Sequence, residues 1–199
     1  MKSVPVILSF FFANILLAGE TNAPPRSSGV SILGWSPAHS FYVEQHTLTP
    51  NEVMKVWIVS SKNAKERQLV YTHGRSIEVL FSNDGHWLAI NDHAGSNIAN
   101  VVLFRQQQGV DFRRVEDVSV KAWAFLASKM GLKLKPGLDH QYVDAIRWTD
   151  DHTILLCIYG HTDHRNFVED WLCLYDVESR TFSTDLDKHN KRHATMEVK

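Results

Sequence analysis

The sequence predicts an all-β fold made of three four-stranded antiparallel units, interrupted by one inserted helix at about residues 118–131. Three observations carry this. Short apolar runs, several of them alternating with polar residues, recur along the chain between clusters of Gly, Pro, Asn, Asp and Ser, which is the pattern of strands and turns. Three of the turns share one opening, an aromatic residue followed by Ser or Thr: Trp35-Ser36, Phe81-Ser82 and Trp148-Thr149. A single segment departs from this texture and spaces its apolar residues three and four apart, as a helix does.

The 199 residues are enough for one domain with a substantial core. Hydrophobic residues make up 44% of the chain, including six Trp and ten Phe, which is more than a chain without a core would carry. The formal net charge of −1 argues against nucleic-acid binding, which calls for a basic excess.

Residues 1–23 read as a signal peptide. Lys2 supplies the positive start, Val4–Leu17 the apolar stretch, and Ala18, Gly19 and Ala23 the small residues near a cleavage point. The apolar stretch is shorter than the ~20 residues a membrane span needs. The expectation is therefore a secreted or periplasmic protein with no membrane span after cleavage, a retained anchor being the alternative. Residues 24–29 form a polar linker, residues 30–184 the folded body, and residues 185–199 a flexible, charged tail.

The first unit runs from about Val30 to His73. VSILGW is a strand, Ser36–His39 a turn, FYVEQH an alternating half-buried strand, and VMKVWIVSS and RQLVYTH two more. The second begins at IEVLF and turns at Ser82-Asn83-Asp84-Gly85, where Asp-Gly suits a tight hairpin. HWLAIND, NVVLFRQ and FRRVED complete it. In Val118–Leu132, residues Val120, Trp123, Ala127 and Met130 form the helical stripe, with Asp117 or Ser119 to cap its start and Gly131 to end it. The third unit is YVDAIRW, a turn at Thr149–His152, TILLCIYGH, VEDWLCLYDV and RTFSTD.

The copies align. After each turn an apolar strand ends in histidine: His46, His93 and His161. Four-stranded units recurring every 40–50 residues are the signature of propeller blades, so the predicted architecture is β-propeller-like. Within the second copy, FSNDGHWLAI resembles the F-S-x-D-G-x-x-L-A core of TolB-type, Trp-Asp-like β-propeller repeats. VDAIRWTDDHTILL and ILGWSPAHSFYV are looser versions, and the resemblance covers about residues 30–184. It implies a fold and leaves function open. Three blades are fewer than a closed propeller uses, which leaves edges to be covered. A homodimer giving six blades is one solution; an open arc partly covered by the helix, or a divergent arrangement of the sheets, are others.

Neither a nucleophile elbow, an H-E-x-x-H helix nor a phosphate loop is present, and no catalytic residue can be assigned. The leading expectation is an exported, non-catalytic binding module for a protein or peptide partner, with no cofactor. The alternative is a metal-dependent hydrolase using a His-lined rim. There His46, His93 and His161 would hold zinc with one position open, and Asp92, Asp163 and His164 would stand nearby. Cys157 and Cys173 fall in two strands that pair if they form a hairpin. A cross-strand disulfide is then sterically open, the alternative being two buried thiols. The six Trp are expected to pack in the core.

Overall fold

The computed structural model describes residues 29–47, 53–134, 140–163, 166–186, 190 and 196–197. The signal peptide and almost all of the linker lie outside them. The described chain is mostly β, with one helix of several turns. Strands β1 (Gly29–Trp35), β2 (Phe41–Thr47), β3 (Met54–Ser60) and β4 (Arg67–His73) form one antiparallel sheet in chain order. Strands β5 (Ser76–Phe81), β6 (Trp87–Gly95), β7 (Ile98–Gln108) and β8 (Asp111–Asp117) pair antiparallel in the same sequential way. After helix α1 (Ser119–Met130) come β9 (Gln141–Trp148), β10 (Thr153–His161), β11 (Asn166–Asp176) and β12 (Thr181–Ser183). A two-residue parallel pairing, Ile98 with Gln141 and Ala99 with Tyr142, joins β7 to β9. The last two sets therefore form one larger sheet, ordered β12-β11-β10-β9-β7-β6-β5, and its strands do not close into a ring among the described residues.

Alternation along β6 and β7 explains why both read as nearly continuous apolar runs. Successive side chains point to opposite faces. Leu88, Ile90, Val102 and Phe104 face Val43, Val56 and Ile58 of the first sheet. Trp87, Ala89, Val101 and Leu103 face the other way, into a second core with α1, β9, β10 and β11. Full burial of one such aliphatic side chain contributes about 1.5–3 kcal/mol, so the middle strands are anchored from both sides. Among the described residues, the strands at either end of the stack bury one face fully and the other only in part.

The three turns use one device. The Ser36 amide bonds the Phe41 carbonyl, the Ser82 amide that of Trp87, and the Thr149 amide that of Thr153. Each hydroxyl closes the same loop, with Phe41 and Trp87 donating their amides back to Ser36 and Ser82 at 3.0 and 2.9 Å. The aromatic-Ser/Thr signature thus encodes a hydrogen-bonded turn.

Helix α1 starts at Ser119, whose amide donates to Asp117 at 3.0 Å, and ends at Gly131 in the left-handed region (φ 66°). Its buried face is Ser119, Ala122, Trp123, Leu126 and Ala127. Val120, placed in the stripe by spacing, is instead 77% exposed. The Ser119 hydroxyl accepts the buried Val101 amide at 2.8 Å, which turns that residue inward and Val120 outward.

The cysteines are free, buried thiols. Register pairs Cys157 with Leu172 and Cys173 with Leu156, an offset of one residue, so the two side chains project from opposite faces of the hairpin and form no cross-strand bridge. Two described parts of the tail touch β11. Asn190 is buried and brackets Leu172, accepting its amide at 3.0 Å and donating to its carbonyl at 2.7 Å. Strand β13 (Met196–Glu197) pairs with Asn166 and Phe167. These contacts follow β11, whose outer edge β12 covers only at Leu174–Asp176. Among the described residues no helix is long and apolar enough to cross a membrane.

Candidate functional site

The three strand-end histidines do not share one place. His46 lies in the first sheet, with Nε2 2.7 Å from Glu44 Oε1, and its ring 6.1 Å from that of Trp57. The Arg67 guanidinium covers Trp57 at 4.8 Å and lies 3.7 Å from the same Glu44 oxygen. His46 thus belongs to a local surface network.

His93 and His161 belong to one neighbourhood, built where the ends of β6 and β10 meet the start of β9. His93 Nε2 stands 3.6 Å from Asp144 Oδ1. The other Asp144 oxygen, Oδ2, accepts the Tyr159 hydroxyl at 2.8 Å. Tyr159 stacks on Tyr142 at 4.8 Å and 14°, the two being directly opposite across the strand pair. The Tyr142 hydroxyl donates to the Ser96 carbonyl at 2.8 Å and lies 2.9 Å from His140 Nδ1. The His140 ring is 5.7 Å from that of His161, which in turn lies 6.5 Å from Phe167. A continuous path of contacts therefore runs from one histidine to the other, with Asp144 and the tyrosine pair at its centre.

Backbone geometry forces the strands this close. Gly160 has φ 125°, a region barred to side chains, and a Cβ there would stand 1.9 Å from the His140 carbonyl oxygen. The His161 amide donates to that same carbonyl at 2.9 Å. Asn91 fixes the β6 side by bonding both backbone groups of Ala145, the residue after Asp144.

Asp144 Oδ1 is buried without a hydrogen-bond partner, as is His161 Nδ1. An unmatched buried acceptor costs about 1–3 kcal/mol, so the site holds uncommitted hydrogen-bonding capacity. A related pair lies on the opposite side of β6, where the Tyr71 hydroxyl donates to Asp92 Oδ2 at 2.6 Å and Asp92 Oδ1 has no partner.

Burial, then the hydrogen bond to Asp144 and its charge, raises the Tyr159 pKa and keeps the hydroxyl a donor. Burial chiefly, with the charges of Asp170 and Asp144, pushes the Cys157 thiol up to about 12. Neither is a ready base or nucleophile at neutral pH. Among the described residues no three His, Cys, Asp or Glu side chains are gathered as metal ligands, and His46, His93 and His161 make no such set. Asp92 faces away from His93 toward Tyr71, and Asp163 caps the turn into β11 by accepting the Asn166 amide at 2.8 Å. His164, also named beside that rim, lies outside the described residues.

Sequence reading singled out the histidines and passed over Tyr142, Asp144 and Tyr159, which occupy polar positions of two ordinary strands. The signal was present: Asp144 alternates with the apolar Val143 and Ala145 at a strand start, so it projects from the face opposite the core, beside Cys157 and Tyr142. Its partners come from other strands, and their alignment depends on register. The chain matches no known family model and shows no significant similarity to any curated protein.

Proposed function

We propose that this chain is an exported, non-catalytic binding module of propeller type, whose three sets of strands are blades and whose Asp144 edge receives a protein or peptide partner. The stacking of β1 beside β5, β5 beside β9 and β4 beside β8 supports the blade reading, as do the three equivalent turns. The partner chemistry follows from the site. A carboxylate with an unsatisfied oxygen, set beside two stacked phenol rings, suits a cationic side chain. Arg or Lys would donate to Asp144 and lie against the Tyr142 face. A homodimer belongs to the same reading, since an arc of blades has two uncovered ends.

The observation that carries this is the placement of Asp144 Oδ1, which accepts no hydrogen bond and has only His93 Nε2 nearby at 3.6 Å, beside the Tyr142–Tyr159 stack. Probing peptide arrays with the full chain tests it. Retention concentrated on Arg- and Lys-containing peptides, lost in Asp144→Asn and indifferent to chelator, supports the reading. Uniform or absent retention removes it, and chelator-sensitive retention transfers the site to the metal alternative.

A further inference from the structure

We propose that two copies of this chain pair by seating the outer face of β1–β4 of each copy against the outer face of β9–β12 of the other. This rests on the blade reading above, because a blade is complete only when a neighbour covers each of its faces. Among the described residues the middle strands β5–β8 meet that condition, and the two end sets do not.

Register identifies what each end face offers. On the first, Ile32, Glu44, Trp57 and Leu69 are directly opposed across successive strands, on the side away from Val43 and Ile58. Val30, Ile32 and Leu69 are there 61%, 54% and 42% exposed. On the last, Leu155 opposes Leu174, and Cys157 opposes Leu172, on the side away from the core residues Ile154, Leu156 and Ile158; the three leucines are half-buried and Cys157 is buried. Register puts Asp144, Tyr142 and Tyr159 on this same face, so pairing and peptide binding at the Asp144 edge compete. Exposed apolar side chains on the first face, meeting half-buried ones on the last, mark an interface.

Charge specifies the occupant. The turn edge of the first sheet carries Lys62 and Lys65, with Arg67 beside them pairing with Glu44 at 3.7 Å, and Asn63 donates to Glu66 at 3.0 Å. The corresponding turn edge of the last set carries Asp150, Asp176 and Asp185, which line a cleft of about 330 Å³ with Leu174 and Phe182. Apart from Asp185, which follows β12, these residues lie where first strands turn into second and third into fourth, so blades stacked in one sense bring them together. His152, 3.6 Å from Asp150 and 3.4 Å from Asp176, offsets part of the acidic charge, as do Arg147 and Arg180. One chain thus carries a basic-apolar face and an acidic-apolar face.

Size agrees. Seven residues by four strands make a face of about 23 by 19 Å. A two-fold dimer makes this contact twice and so reaches the ~800 Å² per partner of stable complexes. Two such contacts also close the assembly, whereas a single one repeated head to tail would grow without limit.

Light scattering of the full chain tests the pairing, with a salt-sensitive dimer as the expected result. Charge reversal by Lys62→Glu with Lys65→Glu, or by Asp185→Lys, should weaken the dimer about tenfold each, and their combination should restore it. A second arm uses Ile32→Cys with Leu155→Cys in a Cys157→Ser, Cys173→Ser background, its fold checked by circular dichroism. Oxidation should give a closed covalent dimer, linked between position 32 of one copy and position 155 of the other. A monomer at every concentration, or a cross-link formed only between the two copies of position 32, overturns the pairing and leaves peptide binding at the Asp144 edge standing. An open ladder of cross-linked chains overturns the closed dimer and strikes the blade reading itself.

Discussion

The side chain of Asn91 forms a two-bond bracket with the backbone of Ala145, donating to its carbonyl at 2.9 Å and accepting its amide at 2.8 Å. Both residues are buried, and on the side away from β10 no strand pairs with β9 at that point to satisfy these groups. A β6 side chain therefore completes a β9 ladder. It holds Asp144, one residue earlier on β9, within reach of His93, two residues further along β6.

Asn91→Ala should be among the most damaging single substitutions. It leaves a buried amide and a buried carbonyl unpaired, at about 1–3 kcal/mol each. Urea denaturation should show a loss of about 2–5 kcal/mol. A loss below 1 kcal/mol would mean that water or a shifted strand satisfies Ala145.

Gly160→Ala should also destabilise strongly. The added methyl meets a backbone oxygen, which can yield only if β9 moves, and the φ of 125° is itself strained for alanine. A loss of at least ~2 kcal/mol is expected, together with weaker peptide binding, since His140 and Tyr142 move with β9. Unchanged melting and unchanged binding would contradict the packing described at this edge.

The thiols should be two, free and slow. Burial chiefly raises both pKa values, that of Cys157 to about 12. Alkylation of the folded chain near neutral pH should be minimal, and complete at both sites after denaturation without reductant. A requirement for reductant would establish a disulfide and with it a register different from the one described.

Alkaline pH should loosen the fold. Burial, followed by hydrogen bonds to Asp92, Asp144 and Glu116, raises the pKa values of Tyr71, Tyr159 and Tyr175. The folded chain therefore keeps phenolic protons that the unfolded chain releases near pH ~10. Stability from these groups is fully present below that pH and is lost as pH rises above it. Denaturation midpoints should hold up to pH ~10 and fall beyond it, less steeply in Tyr175→Phe. A flat profile would show that these hydroxyls are not held by carboxylates.

Much of the fold was legible because it is local. The turn signature of Ser36, Ser82 and Thr149, the alternating runs and the stop at Gly131 are all decided within a few residues. Of the helical stripe, Trp123 and Ala127 are buried and Met130 packs beside them; only Val120 was misplaced, because Ser119, polar in sequence, is drawn inward by the Val101 amide. The cysteine geometry hung on a one-residue register offset, and a hairpin with a bulge between Ile158 and Gly160 conceals its register from sequence. The charged sequence of the tail gave no sign of the Asn190–Leu172 bracket. At the site, histidines were conspicuous by count, yet Asp144 organises the edge. Its partners Tyr159 and His93 lie 15 and 51 positions away, and only pairing of β9 with β10 and packing on β6 bring them together.

Calorimetric titration of the full chain with an array-selected Arg-containing peptide, against wild type and Asp144→Asn, tests the central claim most directly. A hydrogen bond to a charged group is worth about 1.5–3 kcal/mol, so the variant should bind at least about tenfold more weakly while melting within a few degrees of wild type. Equal affinity for the two proteins would contradict the assignment of Asp144 as the centre of the binding edge.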